Sequence, residues 1–408
     1  MNILNFGSCN IDRVYSLDHI VLSGETETTA KLEIFPGGKG LNQSIAIARA
    51  GSKVFHAGCI GLGGEFLLEI LQENGVDTRY ILNAEKDNGH AIIQVTKSGE
   101  NSILLFPGSN ECVTKEQIDE VLKNFTRGDI LLLQNEISNV DYLIDAGYRR
   151  GMRIILNPSP FNEKIAPADY EKLSYLILNE VEAMQITNID TPEEALPALA
   201  EKYPTLGIML TLGSHGCIFK NYDIEIRHPA FMVEAVDTTA AGDTFTGYFV
   251  SGLSEGLEIS DILKRASLAS AISVTRRGAA PSIPTREETE AMLDKIPEIE
   301  RGQSSALKNK IDCYIDENLR DATLTALSEL LGYSPSHTGK IIKALTGKTF
   351  TELLHSRRVK KAAKLLSETS LGISAIISTV GYNNESYFRR IFKEKLGKNP
   401  LEFRKSKN

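Results

Sequence analysis

Over residues 1 to about 295, short apolar runs alternate with amphipathic stretches. Residues 130–134, 153–156, 175–178 and 207–211 are apolar at nearly every position, as strands covered on both faces are. Between them, residues 41–50, 64–74 and 142–150 place apolar side chains at helical spacing. This alternation predicts a three-layer α/β body, a mostly parallel sheet with helices on both faces. Two segments break the rhythm. Residues 14–35 and 90–106 read as strands joined by polar turns, such as 97–99, and predict a small β lid over one edge of the body. Residues 298–305 (EIERGQSS) are polar and lose the pattern, which predicts a linker between a domain at 1–297 and a second at 306–408. Beyond the linker every stretch reads helical. A diverged repeat runs through it with a period of roughly fifty residues. Gly332 and Tyr333 recur as Gly381 and Tyr382, and Ser336, Lys340, Ile341 and Lys343 recur as Ser386, Arg390, Ile391 and Lys393.

Charge sharpens this division. Residues 303–408 hold 19 Lys+Arg against 10 Asp+Glu, whereas residues 1–302 hold 26 against 43. An acidic body with a basic appendage is the balance expected of an enzyme joined to a module that meets phosphates. A solvated basic face is the plainer reading of the same count. No run reaches the roughly 18 apolar residues that a membrane span needs, so no membrane partner is expected. Residues 1–6 read as a buried strand and not as a secretion signal. Five scattered cysteines without metal-ligand spacing point to reduced thiols and a cytoplasmic location.

The candidate chemistry gathers in two motifs. Residues 237–245 (DTTAAGDTF) follow a strand-like run, 231–236, and precede an apolar helix, 244–253. Small residues at Ala240, Ala241 and Gly242 let unpaired backbone N–H groups converge at a helix start, which favours an anion. A carboxylate there, Asp243, suits a base that takes a proton from an attacking hydroxyl, although a helix N-cap is the alternative. Residues 36–43 (PGGKGLNQ) form a Gly-rich turn with Lys39 and Asn42 as donors. It lacks the spacing of a Walker phosphate loop. Asn10, Asp12, Glu136, Asn157, Asn179, Glu182 and residues 211–216 (TLGSHG) all fall just past expected strands, at one carboxyl edge where α/β sheets bind ligands.

Together these residues resemble the PfkB carbohydrate kinase family, on its ribokinase-like branch. The motifs GGKGLNQ and DTTAAGDTF carry the resemblance, which extends over about residues 1–295. It implies transfer of the ATP γ-phosphoryl group to a sugar hydroxyl, with ribose foremost and deoxyribose, fructose or a nucleoside as alternatives. Asp243 would be the base, with an anion hole at Ala240, Ala241 and Gly242. Asn10, Asp12, Gly38, Lys39, Gly40, Asn42 and Glu136 would hold the sugar. Asn179, Thr211, Gly213, Ser214, Gly216, Gly242 and Ser267 would line the nucleotide site. Mg²⁺ would be held by phosphates and water, with Glu182 acting indirectly. Asp237, Thr239, Ser273, Arg276, Gly278 and Ser282 would form a K⁺ site, mostly through backbone carbonyls. The β lid implies a homodimer. Arg13, beside Asp12, is bulkier than the resemblance leads one to expect and bears on which sugar fits.

The C-terminal segment predicts two helix-turn-helix units. Thr323 caps a helix to Leu331, Gly332 makes the turn, and Ser334-Pro335 opens the next helix. The second unit comprises residues 374–380, a turn at Gly381 and a helix from about Asn384 to Leu396. Residues 381–405 (GYNNESYFRRIFKEKLGKNPLEFRK) make the segment similar to the AraC/XylS family DNA-binding domain, which implies seven helices and double-stranded DNA as partner. By position, Ser336, His337, Thr338 and Lys340 in the first unit, and Asn384, Ser386, Tyr387, Arg389 and Arg390 in the second, would meet the DNA.

Overall fold

The computed structural model describes residues 1–29, 31–96 and 100–405, with side chains except at 296–306, 337 and 344. The expected turn at 97–99 lies outside the described residues. The chain divides into two compact units, Met1–Leu293 and Asp294–Asn408.

In the first unit the strands are β1 (Ile3–Phe6), β2 (Asn10–Leu17), β3 (Lys31–Gly37), β4 (Val54–Leu62), β5 (Asp77–Asp87), β6 (His90–Thr96), β7 (Asn101–Phe106), β8 (Ile130–Gln134), β9 (Arg153–Asn157), β10 (Tyr175–Asn179), β11 (Gly207–Thr211), β12 (Cys217–Lys220) and β13 (Glu225–His228). The helices are α1 (Lys39–Arg49), α2 (Glu65–Glu73), α3 (Lys115–Leu122), α4 (Val140–Arg149), α5 (Glu180–Thr187), α6 (Pro192–Lys202), α7 (Ala241–Glu255), α8 (Ile259–Ser273) and α9 (Arg286–Leu293). Among the described residues, nine strands form one sheet in the order β13-β12-β11-β10-β9-β8-β1-β4-β5. From β5 to β11 neighbours run parallel, and β12 and β13 add antiparallel at one edge. Alternation along these strands feeds two cores. Leu4, Phe6, Leu131 and Leu133 pack with α3 and α4 on one face. Ile3, Ile130, Leu132 and Ile155 pack with α1, α7 and α8 on the other. That is why the strand runs read as continuously apolar.

The two segments that broke the pattern form a second sheet, β3-β2-β6-β7. Its register pairs Asp12 with Phe35 and Arg13 with Ile34. Because successive side chains point to opposite faces, Asp12 and Arg13 part company. The Asp12 carboxyl lies against Gly37, where a Cβ would sit 2.1 Å from it. Arg13 is exposed on the other face from Asp12.

A second expectation is corrected at residues 231–236. This apolar run joins no ladder, and Met232, Val233 and Val236 are exposed. Its side chains wall a cleft instead of pairing in the sheet.

The second unit is helical: α10 (Ile296–Glu317), α11 (Leu324–Leu331), α12 (Pro335–Thr346), α13 (Phe350–Glu368), α14 (Ile373–Thr379), α15 (Glu385–Leu396) and α16 (Pro400–Lys405). These are seven helices among the described residues. Residues 298–305, expected as a linker, lie inside α10. Glu298, Glu300, Arg301 and Gln303 are good helix formers, and Pro297 sits in the first turn where proline is tolerated. Two small cores follow. Ile311, Ile315, Leu327 and Ile342 pack with Leu353 and Leu354. Val359, Ala362 and Leu366 pack with Ile376, Ile377, Phe388 and Phe392. The first half of α13 serves one core and its second half the other.

Candidate functional site

The carboxyl ends of β1, β8, β9, β10 and β11 deliver polar residues to one edge of the large sheet. Helix α7 starts there with Ala240, a non-glycine residue in the left-handed region (φ 59°), and no side chain caps it. Such a conformation is strained and persists only where its surroundings enforce it. The Ala241 N–H reaches the Thr238 carbonyl at 3.3 Å, and with no side-chain cap the helix start keeps the character of an anion site. Asp243 sits in this turn, 7% exposed. Its Oδ2 accepts from Asn42 Nδ2 at 3.0 Å and its Oδ1 from Gln43 Nε2 at 2.9 Å. Helix α1 supplies both donors because Gly247 on α7 leaves no side chain in the way. A Cβ there would meet Ala46 at 2.3 Å.

On the lid side of Asp243, the Lys39 N–H donates to Glu136 Oε2 at 2.9 Å, and Ser8 Oγ donates to the same carboxylate. Gly40 packs directly on the chain at Ser8, where a Cβ would fall 2.3 Å from the Ser8 nitrogen. Asn10 Oδ1 accepts from Asn110 Nδ2 at 2.7 Å. Burial raises the Asp12 carboxyl to about 7, helped by the negative charges of Glu136 and Asp243. Burial also raises Glu136, against the opposing charge of Lys39. Lys39 loses solvation by burial, yet Asp243, Glu136 and Glu182 together hold its pKa above the ordinary lysine value. Three carboxylates around one ammonium can grip hydroxyls and keep a proton acceptor close to them.

Two clefts meet at the start of α7, sharing Thr211, Thr238, Ala241 and Gly242. One is polar and holds Lys39, Asn157, Asn179, Glu182 and Asp243. The other, about 350 Å³, is mostly apolar and runs from Gly213, Ser214 and Gly216 past Phe231 and Met232 to Ser267. Size and lining suit a planar ring with a phosphate tail reaching toward α7. Ser267 contacts Cys217 Sγ at 3.5 Å. Gly216 (φ 98°) passes so close to the His228 carbonyl that a Cβ would meet it at 2.1 Å.

Asn179 and Glu182 form a capping box on α5, with the Asn179 side chain accepting from the Glu182 N–H and Glu182 Oε2 accepting from the Asn179 N–H at 3.0 Å. Among the described residues no group of three or more His, Cys, Asp or Glu comes together as a metal site.

Next to the anion site, two loops are tied together. Asp237 Oδ1 accepts from the Thr239 N–H and Oδ2 from the Gly278 N–H, both at 2.9 Å. Burial of Asp237 is outweighed by these bonds and by Arg277, so its pKa lies below the ordinary value. Ser270 Oγ donates to the Ala241 carbonyl at 3.0 Å, which links this region to the start of α7. Ser282 is buried and bonds Ala279, and the Arg276 side chain turns away to Glu288.

Sequence reasoning overlooked Gln43, Gln134, Asn5, Ser8 and Asn110. All but Gln43 lie outside the Gly-rich motif, and the signal available was polarity inside apolar runs: Asn5 in β1 and Gln134 in β8.

In the helical unit the expected caps and turns are present. Thr323 caps α11, Gly332 and Gly381 take left-handed turns, and Asn384 caps α15. Ser336, Lys340, Ser386 and Arg390 are exposed. His337 lies on α12, with its side chain outside the described residues. Three residues are more engaged than expected. Thr338 is fully buried, since it falls on the core face of α12. Asn384 Oδ1 is occupied by the Tyr387 N–H at 2.8 Å. Arg389 is paired to Glu385 at 2.6 Å, one turn back. Arg390 lies over the Tyr387 ring at 5.2 Å, and Tyr387 reaches His355 on α13 at 3.3 Å.

Comparison with known proteins agrees with this division. Residues 2–286 match the model of the pfkB family carbohydrate kinases, and residues 327–406 match a helix-turn-helix domain. The ribokinase of Haemophilus influenzae is 35% identical over 297 residues, covering 71% of this chain and 97% of that protein. The crystal structure of a Cryptococcus neoformans ribokinase in complex with ADP superposes with a TM-score of 0.64 at 32% identity, covering 71% of this chain and 99% of its own. An Arabidopsis thaliana ribokinase complexed with ribose and ATP gives 0.63 at 26%, covering 72% and 98%. No described helix is long and apolar enough to cross a membrane. With its anion site, carboxylate cluster and paired clefts on one sheet edge, the chain belongs to the pfkB family of carbohydrate kinases and carries a helix-turn-helix domain behind the kinase.

Proposed function

We propose that this chain is a ribokinase that also binds DNA: it transfers the γ-phosphoryl group of ATP to a hydroxyl of D-ribose, giving D-ribose 5-phosphate. One observation carries the reading: a carboxylate held by two amides stands in the uncapped turn where the two clefts meet. The sugar lies against Asn10, Asp12, Gly38, Lys39, Gly40, Asn42 and Glu136. Asp243 accepts the proton of the attacking hydroxyl, and the N–H groups at Ala240–Asp243 take up charge on the transferred group. The nucleotide lies along Asn179, Thr211, Gly213, Ser214, Gly216 and Ser267. Mg²⁺, on phosphate oxygens with Glu182 nearby through water, would neutralise phosphate charge. K⁺ at Asp237, Thr239, Ser273, Arg276, Gly278 and Ser282 would order the loop before α7.

The lid supports a homodimer, since Leu32, Ile34 and Leu104 leave apolar surface exposed on the face that Arg13 shares. The helical unit binds double-stranded DNA through Ser336, His337, Lys340, Ser386, Arg389 and Arg390 and regulates transcription.

A coupled assay across ribose, deoxyribose, fructose and nucleosides tests the kinase. Ribose is expected to give the highest kcat/KM, and Asp243→Asn to lower kcat by about 10²–10⁴-fold with sugar binding retained. An Asp243→Asn protein with full turnover would remove Asp243 from the base role, and preference for another sugar would replace ribose.

A further inference from the structure

Asp243 does not stand alone against α1. Behind it runs a chain of buried amides, each with its orientation fixed by the next. Gln43 gives its Nε2 to Asp243 Oδ1 at 2.9 Å and to Asn157 Oδ1 at 3.3 Å. Gln43 Oε1 accepts from Gln134 Nε2 at 2.7 Å, and the same nitrogen reaches Asn5 Oδ1 at 2.9 Å. Asn5 Nδ2 donates to the Gly40 carbonyl and to Ser44 Oγ, both at 2.7 Å, and Ser44 meets His56 Nδ1 at 2.8 Å. Asn5, Gln43, Ser44, His56 and Gln134 are all fully buried.

A glutamine amide can face a carboxylate with either end. Facing it with oxygen would set two acceptors against each other. Gln134 forbids that flip, because its N–H claims Gln43 Oε1 and leaves only the Gln43 nitrogen for Asp243. Asn42 also donates to Asp243, and its Oδ1 is buried with no partner among the described residues. Gln43 lines neither cleft, and both ends of its amide are engaged.

We propose that Gln43, locked by Gln134, is a positioning residue that keeps the Asp243 carboxylate aimed, without touching sugar or nucleotide. The proposal rests on Asp243 being the base. The test uses the full chain, with ribose, ATP and Mg²⁺, and compares wild type with Gln43→Met and Gln134→Met. In both variants kcat is expected to fall about 10–100-fold, part of the range for losing a general base outright. The KM for ribose is expected to stay within about twofold, since uniform binding is untouched. Should Gln43→Met fail to fold, Gln134→Met reads the same property one bond further back. A folded variant with wild-type kcat, or one in which the KM for ribose rises in step with the fall in kcat, overturns the proposal, whatever its melting temperature, and leaves Asp243 in its role. An Asp243→Asn protein with full turnover overturns both.

Discussion

The two candidate sites are built in opposite ways. The candidate kinase site joins residues as far apart as 201 positions, Asn42 and Asp243, inside a buried polar network. The candidate DNA face of the second unit presents neighbours on a helix surface, several of them exposed. A buried network amplifies each change, because a broken partner leaves a polar atom without water. An exposed cationic face responds in small steps and is screened by salt.

Glycine to alanine is the sharpest way to break this comparison, since one chemical change is made in both settings. At Gly40 a Cβ would fall 2.3 Å from the Ser8 nitrogen, whereas at Gly339 on α12 nothing lies within 4 Å. Gly40→Ala is expected to cost about 1–3 kcal/mol, as overpacking does, with sugar affinity falling alongside. Gly339→Ala is expected to stabilise its helix by up to about 1 kcal/mol. Denaturant midpoints for the two variants check the opposite signs.

Salt gives the next effect in size. Arg390→Ala is expected to weaken binding to duplex DNA and to reduce the slope of log affinity against log salt by about one if the side chain meets a phosphate. An unchanged slope with lost sequence preference would mean that Arg390 reads a base. Fluorescence anisotropy across a salt series distinguishes them.

Proton linkage separates the regions by sign. The folded-state pKa of Asp12 is raised to about 7, above its unfolded value of 3.8. Its contribution to stability is therefore full below 3.8 and lost as pH rises through about 7. Asp12→Asn is expected to flatten the fall in melting temperature between pH 5 and 8. In the helical unit, backbone and side-chain bonds from Thr349 hold Glu352 below its ordinary value. That contribution is present above the unfolded pKa and lost as pH falls, so Glu352→Gln is expected to lower stability at pH 7 and little at pH 3.

The smallest effect concerns Arg389. Releasing it by Glu385→Gln breaks an exposed pair of the kind worth about 0.3–0.5 kcal/mol and is expected to raise DNA affinity slightly. Lower affinity would show that the pair orients Arg389 for contact.

Much of the architecture was readable because burial on both faces writes an unbroken apolar run, as at Ile130–Gln134 and Gly207–Thr211. The lid was readable as two interruptions. The same logic misled at 231–236, where an apolar run lines a cleft, since period alone cannot tell a core from a ligand wall. At 298–305 the apolar pattern is lost without a break in the helix, because polar residues that form helices well continue α10. At the site, motif residues such as Asp243 and Asn42 stood out by type and position. Gln134 and Asn5 did not, because a single polar residue in a strand carries no mark of the partner awaiting it across the fold. Thr338 and Asn384 show the converse: a polar residue on a candidate recognition helix can be spent on packing or capping.

Helix α13 is the wall of two cores at once, with Leu353 and Leu354 in one and Val359, Ala362 and Leu366 in the other. Neither helix-turn-helix can lose its half of α13 without exposing the apolar side chains that it shelters. The two helix-turn-helix motifs are then expected to open as a single cooperative block, with the central amides of α13 among the slowest in that block to exchange with deuterium. For evolution this makes the pair a package: a duplication that shares one helix cannot be halved by deleting either copy.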